Sequence, residues 1–225
     1  WWDNAHDRIP TFEDLRDREV SVGIDLSQRR DLTCINWSTY DEETGQYIVV
    51  PQFFLPKGAI PERQEEDKVD YRRWVEQDLL IAPPGESMDY DYVAQLMVRT
   101  VDNYGLSVIT GGFDPWRRDE FNKALERVGA DDRFVHIADF RQGFISMSPA
   151  VDTFEKLAYE KRIWHGNHPI LTWNVANCVV VLDAVNNRKL DKKRSFGKID
   201  GAVAMAMSLH AGQVAEVEED VSHWI

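Results

Sequence analysis

Cysteine is scarce in this chain of 225 residues: Cys34 and Cys178 are the only two. Two thiols cannot build a disulfide framework or a zinc ribbon, and no Cys-x-x-Cys or His-x-x-x-His pair accompanies them, so a reducing compartment is expected. Long apolar runs are missing as well. No stretch approaches the ~20 residues that cross a bilayer, and the opening Trp1-Trp2-Asp3-Asn4 lacks the basic start and apolar stretch of a signal peptide. The chain therefore reads as soluble, with no membrane partner. Positive charge is in deficit: 26 Lys and Arg against 39 Asp and Glu leave a net −13, an unfavourable overall field for a polyanion. No phosphate loop occurs, since the glycine-rich pieces Gly111-Gly112 and Gly129 lack the Lys and Ser/Thr of Gly-x-x-x-x-Gly-Lys-Ser/Thr. An initiator Met is absent too, which leads us to expect sequence upstream. What the chain does have is apolar mass: 43% hydrophobic residues, with 8 Trp, 10 Phe and 7 Tyr, enough for one sizeable core.

Charge is unevenly spread. Residues 186–198 hold six bases (Arg188, Lys189, Lys192, Lys193, Arg194, Lys198) and one acid, Asp191, a local excess attractive to phosphates. From Gly212 to Ile225 the chain carries Glu216, Glu218, Glu219 and Asp220 and no Lys or Arg, the composition of a solvated acidic tail.

Val20, Val22, Ile24 and Leu26 alternate with Ser21, Gly23, Asp25 and Ser27, the period of a strand with one apolar face. Residues 31–40 and 46–54 are β-rich around a turn at Asp41–Gly45, so three antiparallel strands should open the domain. Helical spacing follows over Asp67–Leu80 and Tyr90–Tyr104, the second helix stopping at Gly105. The nearly continuous apolar run Leu106–Phe113 predicts a strand buried on both faces. A helix beginning at Pro115 and a short strand over Phe134–Ala138 then imply a parallel portion of the sheet. Ala150–Lys161, Ile170–Val185 and Ile199–Ala211 read as helices.

Three antiparallel strands, then a parallel strand-helix-strand unit, then helices: this order resembles the ribonuclease H-like fold, an α/β architecture with a mixed central sheet flanked by helices. In that fold, acids from the first strand, the fourth strand and a late helix meet at one edge, and Asp25, Asp114 and Asp200 fall in those places. Phosphodiester hydrolysis with two divalent ions about 3.5–4 Å apart needs several carboxylates to hold them, and hard cations prefer oxygen ligands. Each acid alone also has a plainer reading: Asp25 as a strand-end residue, Asp114 as a helix N-cap before Pro115, Asp200 as a first-turn carboxylate favoured by the helix dipole. Their joint placement, with Gly111 and Gly112 before Asp114 and with Gly201, Ala202 and Ala204 after Asp200, favours the functional one. Asp183 reads as a solvated helix position, and His165 and His168 as loop residues without partners at metal spacing. Trp37, Trp74, Trp116, Trp164 and Trp173 read as core and interface anchors.

The segments Val22–Ser27, Gly112–Trp116, Gln142–Pro149 and Lys198–Ala204 resemble the nuclease domain of the large terminase subunit of tailed bacteriophages. The resemblance implies a metal-dependent endonuclease domain that cuts concatemeric double-stranded DNA during viral genome packaging in the host cytoplasm. It assigns Asp25, Asp114 and Asp200 as metal-binding catalytic acids for two Mg²⁺ or Mn²⁺ ions. Lys193, Arg194 and Lys198 become DNA-contact candidates through their nearness to Asp200. Gln142 and Ser146, in a matched segment, are candidates to line the cleft outside the catalytic set, although a capping Ser148 before Pro149 suffices to explain that stretch. The implied partners are an upstream ATPase domain of the same polypeptide, the portal and the small subunit. The implied layout is a linker over 1–19, the nuclease domain over 20–211 and the tail over 212–225. Two alternatives stay open: an actin-like or sugar-kinase-like nucleotide-binding module opening at Gly23-Ile24-Asp25, and a non-catalytic docking module of the packaging motor.

Overall fold

The computed structural model describes residues 2, 6–27 and 30–222. The opening strands form as their alternation dictates: β1 (Glu19–Asp25), β2 (Thr33–Asp41) and β3 (Gln46–Phe54) pair antiparallel in sequence order. On the other side of β1, β4 (Ser107–Phe113) and β5 (Ile137–Asp139) add in parallel, and β6 (Ile163–Trp164) joins β3 in parallel. The six-stranded sheet runs β5-β4-β1-β2-β3-β6. This is the mixed sheet that the sequence order implies, with the short β6 as an edge the hydropathy pattern does not announce.

Helices cover both faces, which is why β1 is buried on its polar side as well as its apolar one. Val20, Val22, Ile24 and Leu26 enter a core with Met97 of α3 (Tyr90–Tyr104) and Phe121 of α4 (Arg118–Arg127). The opposite face packs under α7 (Asp200–Ser222), with α5 (Phe144–Tyr159) and α6 (Pro169–Asn177) beside it. Gly23 makes that packing possible: a Cβ there would stand 1.9 Å from the Ala204 carbonyl oxygen. Side-chain donors on this face pair internally, Ser21 Oγ donating to the Ser208 carbonyl (2.9 Å) and Asn36 Nδ2 to Ser208 Oγ (2.7 Å), as burial of polar groups favours, while the buried Asn36 Oδ1 has no hydrogen-bond partner.

Several boundaries differ from the sequence reading. Of the helix expected over Asp67–Leu80 only α2 (Tyr71–Glu76) forms; an unexpected α1 (Ile60–Asp67) ends where that helix should begin, because Lys68 takes a left-handed conformation (φ 55°) and Asp70 caps Arg73 N. α4 begins at Arg118 rather than Pro115, because Asp114 Oδ1 accepts from Trp116 N in a turn and Arg117 sits at φ 76°. α5 starts at Phe144, with Pro149 inside it; Ser148 is no cap, and its Oγ accepts from Arg188 N (3.1 Å). The largest difference is at Ile170–Val185. α6 ends at Asn177, and β7 (Val180–Leu182) pairs antiparallel with β8 (Arg188–Leu190) in a separate hairpin. The run Val179-Val180-Val181 is β-branched and suits a strand, while the Asp183 carboxylate closes the turn by accepting from Val185 N and Asn187 N, each at 2.9 Å. Asp183 is thus a turn residue rather than a helical one.

α7 continues past Ala211 to Ser222, and Glu216 accepts from Tyr47 Oη (2.7 Å). At the other end, Trp2 donates to Thr172 Oγ1 (3.0 Å) and stacks on His165, and Leu15 is fully buried. Residues 1 and 3–5 of the expected linker and 223–225 of the expected tail lie outside the described residues. His165 and His168 lie in the loop between β6 and α6, as read, and are buried there, whereas Trp116 is 61% exposed beside Asp114 and anchors no core.

Candidate active site

Two of the three expected acids converge. Asp25 ends β1 and Asp200 opens α7, and the close seam between these elements puts both carboxylates around one ammonium. Lys192 Nζ lies 2.9 and 2.7 Å from Asp25 Oδ1 and Oδ2 and 2.9 Å from Asp200 Oδ1. Gln142 Nε2 also donates to Asp25 Oδ1 (3.1 Å). The first turn of α7 is fixed from outside by Asn174 of α6, whose Oδ1 accepts from Gly201 N (2.7 Å).

Burial dominates the electrostatics of Asp25. Loss of solvent and the neighbouring Asp200 charge raise its pKa, Lys192 and Gln142 pull it back, and it rests at about 6. Burial alone would lower Lys192, but the Asp200 and Asp25 carboxylates overcome it and raise its pKa. The ammonium is lodged between acids while its stem stays in contact with water. Cys34, the register partner of Asp25 on β2, has its thiol pushed well up, chiefly by burial, and is no nucleophile.

Asp114 occupies the expected strand end. Phe113 is the register partner of Ile24, so Asp25 and Asp114 leave adjacent parallel strands at the same edge. Its carboxylate, however, is engaged with Trp116 N (3.1 Å). Among the described residues, no three His, Cys, Asp or Glu side chains stand close enough to hold a metal ion together. Of the three basic candidates, Lys193 and Arg194 are exposed, whereas Lys198 Nζ lies 2.7 Å from Asp31 Oδ1. A cavity of about 310 Å³ adjoins the pair, lined by Asp31, Asp67, Lys192, Phe196, Lys198 and Asp200. A larger one, about 410 Å³ between α1 and α2, has Glu76 as the one acid in its lining.

Sequence reasoning missed Lys192, one of six bases in a polar segment, and named Gln142 as a cleft-lining candidate without a role. No local signal marks Lys192, and only the matched segment Gln142–Pro149 marks Gln142; Asp25 lies 167 residues from the first and 117 from the second.

A family model described as the endonuclease domain of the terminase large subunit matches residues 2–216. The chain belongs to this terminase endonuclease family. The large terminase subunit of Enterobacteria phage HK97 is 40% identical over 210 residues, covering 92% of this chain and 40% of the phage protein. The chain thus spans under half the length of that relative. The crystal structure of the HK97 large terminase superposes with a TM-score of 0.80 at 38% identity, over 91% of this chain and 41% of the other. The large terminase nuclease of thermophilic phage G20c matches at TM-score 0.54 and 11% identity, over 92% of this chain and 89% of the other, a likeness of fold. Structures of that G20c nuclease with bound magnesium and with bound cobalt match at TM-score 0.50. The terminase endonuclease domain described here therefore has the ribonuclease H-like fold expected from its element order, and its family sets aside the nucleotide-binding alternative.

The donors fit a hard divalent cation: Asp25 and Asp200 offer carboxylate oxygens, and the space between them already has the size and charge to hold a cation, the Lys192 ammonium.

Proposed function

We propose that this domain is a divalent-metal-dependent endonuclease that cuts concatemeric double-stranded DNA during viral genome packaging, by two-metal phosphodiester hydrolysis with Mg²⁺ or Mn²⁺. The observation that carries the reading is the convergence of buried Asp25 and Asp200 on a single cation at the edge where Asp114 also leaves the sheet. Magnesium in the fold relative from phage G20c supports the choice of metal.

In this reading Asp25, Asp114 and Asp200 are the metal-holding acids, with Asp114 turning from Trp116 N toward its neighbours. Bound divalent ions would supply a water of lowered pKa and neutralise charge on the scissile phosphate. Asp25 is oriented by Gln142, and the Asn174 bond to Gly201 N fixes the start of α7 so that Asp200 faces Asp25. Lys193 and Arg194 offer exposed charge to phosphates; Lys198 would first have to leave Asp31. With a net charge of −13, DNA binding by the domain alone should be weak, salt-sensitive and largely independent of sequence. Tethering to an upstream ATPase domain would raise the local DNA concentration at the site. Portal and small subunit complete the partners of this reading, and host cytoplasm its location.

Incubation of supercoiled plasmid with the protein and Mn²⁺ or Mg²⁺, beside Asp25→Ala, tests the reading. Nicked and linear products that need metal and fall at least a hundredfold in the variant are expected. Metal-dependent cutting unaffected by the substitution would overturn it.

A further inference from the structure

Lys192 reaches the acid pair from outside the ribonuclease H-like sheet. It follows β8, in a turn whose backbone is tied down: Asp191 N donates to the Val179 carbonyl (2.9 Å), Asp191 Oδ1 accepts from Lys193 N (2.9 Å), and Ser195 Oγ donates to the Asp191 carbonyl (2.8 Å). Buried Leu190 anchors the strand before it. The backbone is therefore held, while the long side chain is 40% exposed to solvent. The hairpin itself rests on α5: Arg188 pairs with Asp152 and with Glu155, and Lys189 Nζ lies 4.8 Å from the centre of the Phe144 ring.

The three groups at the centre carry two negative charges and one positive. A divalent ion between the same carboxylates would meet the ammonium at contact distance, where cation–cation repulsion in a water-poor site is severe. The two cations cannot share the pair. The cavity of about 310 Å³ beside it is lined by Asp31 and Asp67 as well as Lys192 and Lys198; Asp31 is already paired with Lys198, which leaves Asp67 as the carboxylate of that lining to face a displaced ammonium.

We propose that Lys192 is a tethered counter-ion that holds the Asp25–Asp200 pair in the metal-free protein and is exchanged for the incoming divalent ion. The proposal rests on the nuclease reading and adds a control to it: the acids stay together without metal, and metal loading requires displacing the lysine. A site whose competent form is populated a tenth of the time binds its ligand about tenfold more weakly than the open site would. An ammonium held by three contacts should occupy the pair at least that fully.

Direct Mn²⁺ titration, read from the electron paramagnetic resonance signal of free Mn²⁺, tests this without reference to cutting. Lys192→Met should bind Mn²⁺ about tenfold or more tightly than the natural protein. Lys198→Met removes the same charge from the same cavity without touching the pair, and should change affinity less than threefold. Asp25→Asn should abolish the binding in either background. Because Lys192→Met leaves two buried carboxylates uncompensated, its melting temperature without metal should fall, and Mn²⁺ should raise it by more than it raises that of the natural protein; Lys192→Gln provides a second folded variant. Asp25-dependent binding that is equal or weaker in folded Lys192→Met and Lys192→Gln would overturn the exchange alone. Absence of any Asp25-dependent binding would overturn the nuclease reading and the exchange with it.

Discussion

The seam between β1 and α7 and the β7–β8 hairpin both supply groups to the same site, yet they are held by different means. At the seam, backbone meets backbone through Gly23, and fully buried Ala202, Ala204, Ala206 and Ser208 line the helix. At the hairpin, Val181 and Leu190 are buried but Leu182 and Val185 are exposed, and the side-chain attachment to α5 includes ion pairs from Arg188. Shape fixes the acids, whereas charge shares with a few buried side chains in fixing the element that carries the lysine. A site whose carboxylates must stay in register while a cation moves benefits from that division: rigid packing sets the distance between Asp25 and Asp200, and a solvent-facing attachment leaves the third partner adjustable.

The comparison breaks most directly at Gly23. Gly23→Ala forces a methyl group against the Ala204 carbonyl, where backbone and no flexible side chain would have to give way. Overpacking of this kind costs ~3 kcal/mol or more, a large part of the total stability of a domain. Urea unfolding should show the midpoint collapsing, or the variant should fail to accumulate as folded protein; a midpoint within experimental scatter of the natural one would show that the seam is looser than its geometry.

His168 tests the seam from behind. It opens α6, the helix whose Asn174 holds Gly201 at the start of α7, and its Nδ1 accepts from Leu171 N. Burial lowers its pKa from 6.5 to about 4. A depressed pKa in the folded state means that the unfolded chain binds the proton more readily. The associated stability is therefore complete above pH ~6.5 and lost as pH falls from there toward 4, by about 3 kcal/mol over the window. His168→Asn keeps a capping oxygen and removes the titration. Unfolding free energies at pH 7.5 and 4.5 should differ by less in the variant than in the natural protein; equal differences would assign the acid sensitivity to other groups.

The seam was the legible half. Alternation over Val20–Ser27 placed Asp25 at a strand end, and small residues after Asp200 announced a helix pressed on a sheet, because both signals are local and periodic. The hairpin was not. Val179–Leu182 continues the apolar character of α6, so periodicity ran the helix on to Val185, and only pairing with Arg188–Leu190 reveals the strand. With the hairpin unread, nothing distinguished Lys192 from Lys193 or Arg194 beside it. Asp114 was legible as a position but not as a conformation, since its engagement with Trp116 N depends on Arg117 adopting φ 76° before α4 begins.

The smallest expected effect lies at the hairpin and sharpens the contrast. Arg188 is the hairpin's ion-pair link to α5, reaching both Asp152 and Glu155, with 27% of its side chain exposed. Pairs this accessible to water are screened, so Arg188→Ala should cost no more than ~1 kcal/mol of global stability. At 1 M salt, where the screening length is about 3 Å, the natural protein should approach the variant. Amide hydrogen exchange is the informative measurement: protection should fall in 180–190 while β1 and the first turns of α7 keep theirs, because the hairpin can loosen as a local unit. Loss of protection in both regions at once would mean that the ion pairs hold the whole domain, and the separation of a shape-held seam from a partly charge-held hairpin would be wrong.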